Sequence, residues 1–165
     1  MSVNTEIERK YLIVRPSDDF LFSLPHTQIT QTYLKNDLDG VTERVRKRSG
    51  QNRFVFTHTI KKRLDDMSSM EDEQEITQEE YLRLLFRADS DKNPIEKTRF
   101  LIENGAFTFE IDVYPFWKRQ AVMEVELPDE EAEFVIPESI QVIREVTGIR
   151  AYSNARMAKR IPDED

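Results

Sequence analysis

Apolar and polar residues alternate with a period of two over most of this chain, which is the pattern of β-strands with one packed face. Turn residues interrupt the alternation at short intervals, and Asn104-Gly105 between two alternating runs is typical of a β-hairpin. The pattern predicts about eight antiparallel strands. The predicted strands are residues 6–14, 28–34, 41–48, 53–62, 71–76, 95–103, 106–114 and 120–127.

Helical signals lie between these strands. The clearest is the capping-box sequence of Thr77 and Glu80, which predicts a helix over residues 78–88 with one apolar face. Three shorter helices are indicated by polar cap residues, by proline and by acidic first turns. These short helices are predicted over residues 17–24, 128–134 and 154–160. The fold class is therefore α+β, with a sheet large enough to curl or close.

The polar faces of seven predicted strands carry ionisable groups of both signs. A sheet with one face in water predicts scattered polar residues, but not acids in pairs on four strands and bases in pairs on two more. Buried charge of this density is costly unless it is paired or bound to metal. The pattern therefore favours a closed sheet whose charged interior binds a highly charged ligand. The acidic pairs include Glu6/Glu8, Glu73/Glu75, Glu110/Asp112 and Glu124/Glu126, and the basic ones Arg44/Arg46 and Lys97/Arg99.

Composition restricts the classes of partner. The 165 residues are most simply one domain, 1–165, and its net charge of -8 disfavours non-specific nucleic-acid binding. The absence of cysteine excludes thiolate catalysis and Cys-ligated zinc, and two histidines disfavour a His-rich zinc site. No apolar run approaches the length of a membrane span, and the first residues are too polar for a secretory signal. A cytoplasmic protein that binds neither nucleic acid nor membrane is expected.

The order of the charged motifs resembles that of the CYTH superfamily, also called triphosphate tunnel metalloenzymes. The opening Glu6-x-Glu8-x-Lys10 is similar to the hallmark of that family, and the resemblance spans residues 6 to about 158. It implies an eight-stranded antiparallel β-barrel with a charged interior, helices packed outside, and a triphosphate bound with divalent metal ions. The later matching motifs are Arg44-x-Arg46, Lys61, Lys97-x-Arg99, Asp112, Glu124-x-Glu126, Glu145-Val146-Thr147-Gly148 and Tyr152-Ser153-Asn154.

Oxygen ligands without cysteine or histidine favour Mg²⁺ or Mn²⁺ as the metal. For each assigned ligand, the alternative role is an ion pair with a neighbouring base. Glu73 and Glu75 either ligate metal through water or balance the charge of the arginines, and Glu110 is expected to balance charge. The expected metal ligands are Glu6, Glu8, Glu124, Glu126 and, for a second metal, Asp112.

The basic residues are expected to bind the phosphates, and the planar forks of arginine fit phosphate oxygens bidentately. Lys97 is also a candidate for the base that takes the proton of the attacking water, because neighbouring cations lower the pKa of a lysine. The equal alternative is that Lys97 is one more phosphate contact and a metal-bound carboxylate orients the water. The expected substrate-binding residues are Lys10, Arg44, Arg46, Lys61, Lys97 and Arg99.

Several other residues have two interpretations. Tyr33 resembles a tunnel-wall tyrosine of small family members and is a candidate catalytic residue, with core packing as the alternative. Trp117 either stacks on a base or thiamine ring at a tunnel mouth or packs in the core. His58 is expected to be structural, and Lys47 and Arg48 are expected to be solvated residues at a rim.

Family members include inorganic triphosphatases, thiamine triphosphatases, class IV adenylate cyclases and RNA triphosphatases. Because no pocket for a nucleobase can be identified, the sequence predicts hydrolysis of inorganic tripolyphosphate. The alternatives are a class IV adenylate cyclase, a thiamine or nucleoside triphosphatase, and a phosphate-binding module without turnover. The intact acidic pairs argue against that last alternative. Small members often pair, so the resemblance leaves a homodimer open.

Overall fold

The computed structural model of the protein describes residues 2–165 and contains nine β-strands. They are β1 (Ser2–Val14), β2 (His26–Tyr33), β3 (Val41–Ser49), β4 (Phe54–Arg63), β5 (Ser68–Ile76), β6 (Ile95–Asn104), β7 (Phe107–Val113), β8 (Gln120–Leu127) and β9 (Val142–Glu145). Their hydrogen-bonded order is β1-β8-β7-β6-β2-β3-β4-β5, and β5 pairs back with β1. The first eight strands therefore form the closed antiparallel barrel that the sequence predicts, while β9 pairs with the last part of β1.

The helices are short, and none within residues 2–165 is long and apolar enough to cross a membrane. The predicted capping box is present: Glu80 donates its backbone N–H to Thr77 Oγ1 at 3.1 Å, and Thr77 donates its own to Glu80 Oε2 at 3.2 Å. The helices are α1 (Asp18–Leu21), α2 (Gln78–Leu84) and α3 (Asn154–Met157), with 3₁₀ turns over Leu85–Arg87 and Arg150–Tyr152.

Two stretches differ from the prediction. Residues 128–131 form a bend and a turn, and residues 132–134 have no regular secondary structure, so the predicted helix is absent. There, the Asp129 carboxylate accepts the backbone N–H of Glu131 at 2.9 Å, a local bond that competes with helical hydrogen bonding. Strand β9 was not predicted, because its four residues are too few to show a period and its partner β1 lies at the other end of the chain.

The apolar faces of the strands point away from the barrel interior. On β1, β7 and β8, side chains such as Tyr11, Phe109 and Met123 pack with α1 and with residues of the 132–142 segment. On β3 and β4, Val45 and Phe56 pack against Tyr81 of α2. Burial of these outer faces leaves the charged faces on the inside, as the alternation predicts.

Apolar side chains close part of one end of the barrel. Leu12 and Val122 continue the inward-facing rows of β1 and β8, and they are fully buried. Trp117, Tyr152 and Met157 cover them in one apolar cluster. The C-terminal segment therefore lies across this end of the barrel, where it borders the interior cavity.

Gly148 fixes the C-terminal segment against the connection between β4 and β5. Its φ is +74°, and a Cβ there would lie 2.6 Å from Asp66 Cβ. Arg63 contacts both sides of this junction, since it donates to the Gly148 carbonyl at 3.3 Å and pairs with Asp66 at 2.5 Å. Gly148→Ala is expected to lower the free energy of unfolding by about 2–3 kcal/mol, measured by denaturant titration.

Gly105→Ala is the matched control for this prediction. Gly105 also has a positive φ, +65°, but no atom lies within 4 Å of the position that its Cβ would take. Its substitution should cost only the backbone strain, about 1–2 kcal/mol. Equal losses in the two variants would mean that the approach of Asp66 to Gly148 does not restrict this junction.

Candidate active site

The barrel encloses a cavity of about 1230 Å³. Acidic side chains reach it from β5, β1, β8 and β7, which are consecutive around the barrel. Most of the basic side chains reach it from β6, β3 and β4, and β2 between them contributes Tyr33. Lys10 of β1 is the exception, a lysine on the acidic side that pairs with Glu124. The cavity therefore has an acidic wall and a basic wall. The acidic wall comprises Glu6, Glu8, Glu71, Glu73, Glu110, Glu124 and Glu126; the basic wall comprises Arg44, Arg46, Arg48, Lys61, Lys97 and Arg99.

The carboxylates of the acidic wall repel one another. Repulsion from Glu124, together with burial, raises the pKa of Glu8 to about 7. Burial and the neighbouring Glu71 raise the pKa of Glu6 to about 8. Burial would also raise the pKa of Glu124, but attraction to Lys10, whose Nζ lies 3.2 Å from Glu124 Oε1, holds it at about 2. Part of this wall therefore keeps protons near neutral pH unless a cation neutralises it.

The donor set of the acidic wall fits a hard divalent cation. Within residues 2–165, no three Asp, Glu or His side chains stand close enough to form a metal site as they are placed. Glu6, Glu8 and Glu124 nevertheless present carboxylate oxygens, the ligands that Mg²⁺ and Mn²⁺ prefer, and their mutual repulsion is what a bound cation would relieve. Glu126 is more exposed and lies opposite Glu8 in the β1–β8 register.

The stability of the metal-free protein is expected to depend on pH. Because Glu6 and Glu8 have folded-state pKa values above the ordinary 4.5, the folded protein binds more protons than the unfolded chain between these values. The free energy of unfolding should therefore fall as the pH rises from about 5 to 7. Above that range, Lys97 should make the free energy of unfolding rise with pH, because its pKa is lower in the folded protein than in the unfolded chain. Thermal unfolding in a chelator across this pH range measures the effect.

Two comparisons test the cause of this pH dependence. The double variant Glu6→Gln/Glu8→Gln should show a flatter profile, because the two groups that take up protons are gone. Within this pH range, Mg²⁺ or Mn²⁺ should raise the unfolding temperature of the wild type most at pH 7, where the fewest protons compete with the cation for the two carboxylates. An unfolding temperature that does not respond to either ion would contradict the assignment of the acidic wall to metal.

Asp112, the predicted ligand of a second metal, is occupied by cations. Arg99 donates to both of its oxygens, at 2.8 and 2.9 Å, and Lys97 Nζ lies 2.9 Å from Oδ2. Burial would raise the pKa of Asp112, but the two cations hold it far below its usual value. Its side chain is 1% exposed and does not border the cavity. This arrangement favours the alternative of an interior ion pair.

Lys97 is enclosed with its charge only partly compensated. Its side chain is 0% exposed, and burial lowers its pKa to about 7, with Asp112 opposing the shift and Arg99 and Arg46 adding to it. Asp112 is the one carboxylate that pairs with this ammonium in the described part of the chain, and Asp112 is shared with Arg99. Neighbouring cations thus surround Lys97, as the sequence predicts.

The basic wall holds guanidinium groups whose donors are not all used. Arg46 is 7% exposed and donates to Gln31 Oε1 at 2.8 and 3.1 Å. Burial and the adjacent Arg44, Arg99 and Arg48 lower its pKa to about 9. The buried Nε atoms of Arg44 and Arg48 have no hydrogen-bond partner in the described part of the chain. Crowded cations with free donors are what an anion-binding surface requires.

Tyr33 lies at the edge of the basic wall. Gln31 Nε2 donates to its hydroxyl at 3.0 Å, and the guanidinium of Arg44 lies beside the same hydroxyl. Its ring, 3% exposed, belongs to the apolar cluster, and Lys92 Nζ stands 5.4 Å from the ring centre. Tyr33 therefore combines a packed ring with a hydroxyl that lies beside Arg44 of the basic wall.

Other predicted residues divide into those that border the cavity and those that do not. Lys61 borders it and stands 4.0 Å from Glu6, and Glu73 accepts a hydrogen bond from Thr59 at 2.9 Å. Glu75 lies outside the cavity and pairs with Arg53 at 3.7 Å, which agrees with charge balance. Glu110 likewise pairs with Arg99, at 2.9 Å.

Arg48 was predicted to be a solvated residue at a rim. In the structure it lines the cavity, and burial lowers its pKa. Lys47 is on the outer face, 4.1 Å from the centre of the Phe54 ring. His58 meets Glu43 at 2.6 Å on the same outer face and has the expected structural role. Trp117, 3% exposed, donates to the Pro162 carbonyl at 2.9 Å, so its ring is packed and not available for stacking.

Sequence reasoning missed a group of basic residues at the opening of the cavity. They come from the loop before β6 and from the C-terminal segment. These stretches are not strands, so no alternation predicts where their side chains point. The available signal was the density of basic residues after residue 149. These residues are Lys92, Arg150, Arg156, Lys159 and Arg160.

Comparison with known proteins identifies the family of the chain. The chain is 33% identical over 156 residues to an inorganic triphosphatase of Acetivibrio thermocellus, and the match covers 93% of each chain. The chain belongs to the CYTH superfamily of triphosphate tunnel proteins. It matches no family model in a separate scan.

Solved structures of CYTH proteins have the same fold. The structure of the inorganic triphosphatase NE1496 has a TM-score of 0.61 and 27% identity, covering 96% of this chain and 97% of the other. HpAC1 from Hippeastrum, described as an adenylyl cyclase relative with a dominant triphosphatase activity, has a TM-score of 0.54 and 16% identity. That match covers 76% of this chain and 81% of the other. At this identity, the second likeness supports the fold alone.

Proposed function

We propose that this protein hydrolyses inorganic tripolyphosphate with the help of Mg²⁺ or Mn²⁺. The main support is the cavity, in which guanidinium groups with unused donors stand across from mutually repelling carboxylates. A triphosphate carries several negative charges in a row and needs cations along its length. The cavity lining within residues 2–165 contains no aromatic side chain besides Tyr33, so no second ring is available to hold a nucleobase or thiamine. The names of the two triphosphatase relatives support the same substrate.

The basic wall would bind and orient the phosphate chain. Arg44 and Arg46 can bind phosphate oxygens through two nitrogens each, which fixes orientation as well as supplying charge. Across the cavity, Glu6, Glu8, Glu124 and Glu126 would hold metal. Bound there, a divalent cation supplies charge neutralisation at phosphate oxygens and makes phosphorus easier to attack. The remaining proposed phosphate contacts are Lys10, Lys61 and Arg99.

Lys97 and Tyr33 would act on the attacking water and the phosphate it attacks. With a pKa of about 7, Lys97 can be neutral near physiological pH and accept the proton of the water at Nζ. The Tyr33 hydroxyl, held by Gln31, can donate a hydrogen bond to a phosphate oxygen. Lys97 as a further phosphate contact remains the alternative, and both roles are consistent with its enclosure between Asp112 and the arginines.

A direct assay tests this proposal. The protein is incubated with tripolyphosphate, ATP and thiamine triphosphate in Mg²⁺ or Mn²⁺, and orthophosphate, diphosphate and cyclic AMP are measured. We expect orthophosphate from tripolyphosphate, with kcat/KM at least about tenfold above the other two substrates. Cyclic AMP and diphosphate from ATP would instead support the class IV cyclase. Tight binding without any product would support a binding module.

Cellular location and assembly stay predictions. A cytoplasmic location remains the expectation from the sequence. The resemblance to small family members, which often pair, leaves a homodimer open. Size-exclusion chromatography with light scattering measures the second directly.

A further inference from the structure

Gln31 is a buried amide behind the basic wall of the cavity. It is 0% exposed and does not border the cavity, although both of its side-chain partners, Arg46 and Tyr33, do. Its neighbours Ile29, two residues earlier, and Ile95, opposite in the β2–β6 register, show that apolar side chains fit in this part of the wall. Because a buried amide is costly unless it is hydrogen-bonded, its hydrogen bonds are what distinguish glutamine here.

The two ends of this amide contact different partners, and the partners determine its orientation. The guanidinium of Arg46 carries only donors, so the end that faces it is the amide oxygen, which accepts from Nε at 3.1 Å and from Nη2 at 2.8 Å. The amide nitrogen then faces Tyr33 and donates to its hydroxyl at 3.0 Å. The reverse orientation would place the N–H groups of the amide against those of the guanidinium. The donor and the acceptor of each contact are therefore fixed.

This orientation makes the Tyr33 hydroxyl a donor toward the cavity. Gln31 donates to the hydroxyl oxygen, and the guanidinium of Arg44, which also has only donors, lies beside it. A hydroxyl has one proton and two acceptor lone pairs. With donors on its oxygen, Tyr33 directs its proton away from both groups, where a phosphate oxygen in the cavity can accept it.

The same amide leaves the charge of Arg46 for a ligand. Arg99 pairs with the carboxylates of Asp112 and Glu110, whereas Arg46 contacts the neutral Gln31. The amide oxygen holds the edge of the Arg46 guanidinium formed by Nε and Nη2. The edge that includes Nη1 stays free to bind phosphate oxygens, and the orientation of the guanidinium is set before the ligand arrives. A carboxylate in place of the amide would hold Arg46 equally well but would neutralise its charge.

We propose that Gln31 is a positioning residue of the active site, which orients Arg46 for phosphate binding and makes Tyr33 a hydrogen-bond donor to the phosphate under attack. The proposal rests on the proposed triphosphatase function. Gln31 does not touch the substrate, since it is fully buried and both ends of its amide are used. Its effect on turnover is transmitted by Tyr33, and its effect on affinity by Arg46.

A double-mutant cycle tests the transmission through Tyr33. The values of kcat and KM for tripolyphosphate are measured in Mg²⁺ or Mn²⁺ for the wild type, Gln31→Met, Tyr33→Phe and the double variant. Methionine has a similar length but cannot replace the amide at either contact. Gln31→Met should lower kcat about tenfold when the Tyr33 hydroxyl is present, and less than about twofold in Tyr33→Phe. Its effect on KM should persist in Tyr33→Phe, because Arg46 transmits it.

Gln28→Met is the matched control for this cycle. Gln28 lies on the same strand as Gln31, but it is exposed and does not border the cavity. The same substitution there should keep kcat and KM within about twofold of the wild type.

Gln31→Glu tests the direction of the hydrogen bonds while the packing is kept. A carboxylate still accepts from Arg46 but cannot donate to Tyr33, so the hydroxyl turns its proton toward the carboxylate and away from phosphate. This variant should also lower kcat about tenfold in the presence of the Tyr33 hydroxyl. Its unfolding temperature should not fall, because the new charge pairs with a buried guanidinium. A purely structural Gln31 would instead give a folded Gln31→Glu variant with unchanged kcat.

The possible outcomes separate this inference from the proposed function. Absence of tripolyphosphate hydrolysis by the wild type would overturn the triphosphatase proposal and this inference with it. An active wild type, with equal losses of kcat from Gln31→Met in the presence and absence of the Tyr33 hydroxyl, would overturn the positioning role alone. Wild-type kcat in Gln31→Met or in Gln31→Glu would do the same. Thermal unfolding shows whether each variant is folded, and the cycle is completed with Gln31→Glu if Gln31→Met is not.

Discussion

Glu8→Gln is expected to lower kcat for tripolyphosphate hydrolysis at least about 100-fold in Mg²⁺ or Mn²⁺. Glu8 lies inside the barrel, and repulsion from Glu124 raises its pKa to about 7. The amide of glutamine has nearly the same shape but lacks the charge that would hold a divalent cation against the phosphates. The loss should therefore appear in turnover and in the metal concentration needed for half-maximal activity. Steady-state kinetics at several metal concentrations measure both.

Stability distinguishes this effect from a loss of folding. In metal-free buffer at pH 7, Glu8→Gln removes a carboxylate that its neighbours repel, so the unfolding temperature should stay equal or rise. Glu96→Gln is the matched control, because Glu96 is exposed and lies on the outer parity of β6. That control should keep its activity within about twofold. Full metal-dependent activity in Glu8→Gln would refute the role of Glu8 as a metal ligand.

Arg46→Gln is expected to raise KM for tripolyphosphate by about 10- to 100-fold, the effect of losing a hydrogen bond to a charged group. Arg46 is buried among cations, and burial and those cations lower its pKa to about 9. Its only side-chain hydrogen bonds in the described chain go to Gln31, a neutral partner. The charge of Arg46 therefore destabilises the folded protein without ligand, and a bound phosphate would relieve this destabilisation.

The same argument predicts the stability of this variant. Because the folded-state pKa of Arg46 is lowered, its charge destabilises the folded protein at pH 7, and replacing it with glutamine should not lower the free energy of unfolding. Arg119→Gln is the control that should leave KM unchanged, because Arg119 is exposed and pairs with Glu164 away from the cavity. Loss of folding in Arg46→Gln would indicate a structural role for the guanidinium and would contradict its assignment to phosphate binding.

Much of the fold was predictable because β-strand parity is a local property. Alternation at Glu6, Glu8 and Lys10 predicted which side chains point inward, and the cavity is lined by these three. The capping box at Thr77 was equally local, since both hydrogen bonds lie within four residues. Residues 128–134 and strand β9 were not predicted correctly. The first depends on competition between turn and helical hydrogen bonds, and the second on a partner strand at the far end of the chain.

The sequence predicted which residues belong to the candidate site better than it predicted which of them form ion pairs with one another. Parity placed Asp112 on the inner face, but the register between β6 and β7 brings it opposite Arg99. Arg48 is near the end of β3, yet closure of the barrel buries it beside Arg99. Such pairings need the registers of several strands at once, which no single strand encodes.

The sequence by itself determined the closed sheet with a charged interior, because the alternation of apolar and charged residues is visible within each strand. Only the tertiary structure decided how those charges are arranged as an acidic wall and a basic wall, since strand order places β5, β1, β8 and β7 side by side. It also brought basic residues of the C-terminal segment to the cavity, because that segment packs against the barrel at Gly148 and Tyr152. Such contacts join residues that are far apart in the sequence, so no local pattern predicts them and they are seen only in the folded structure.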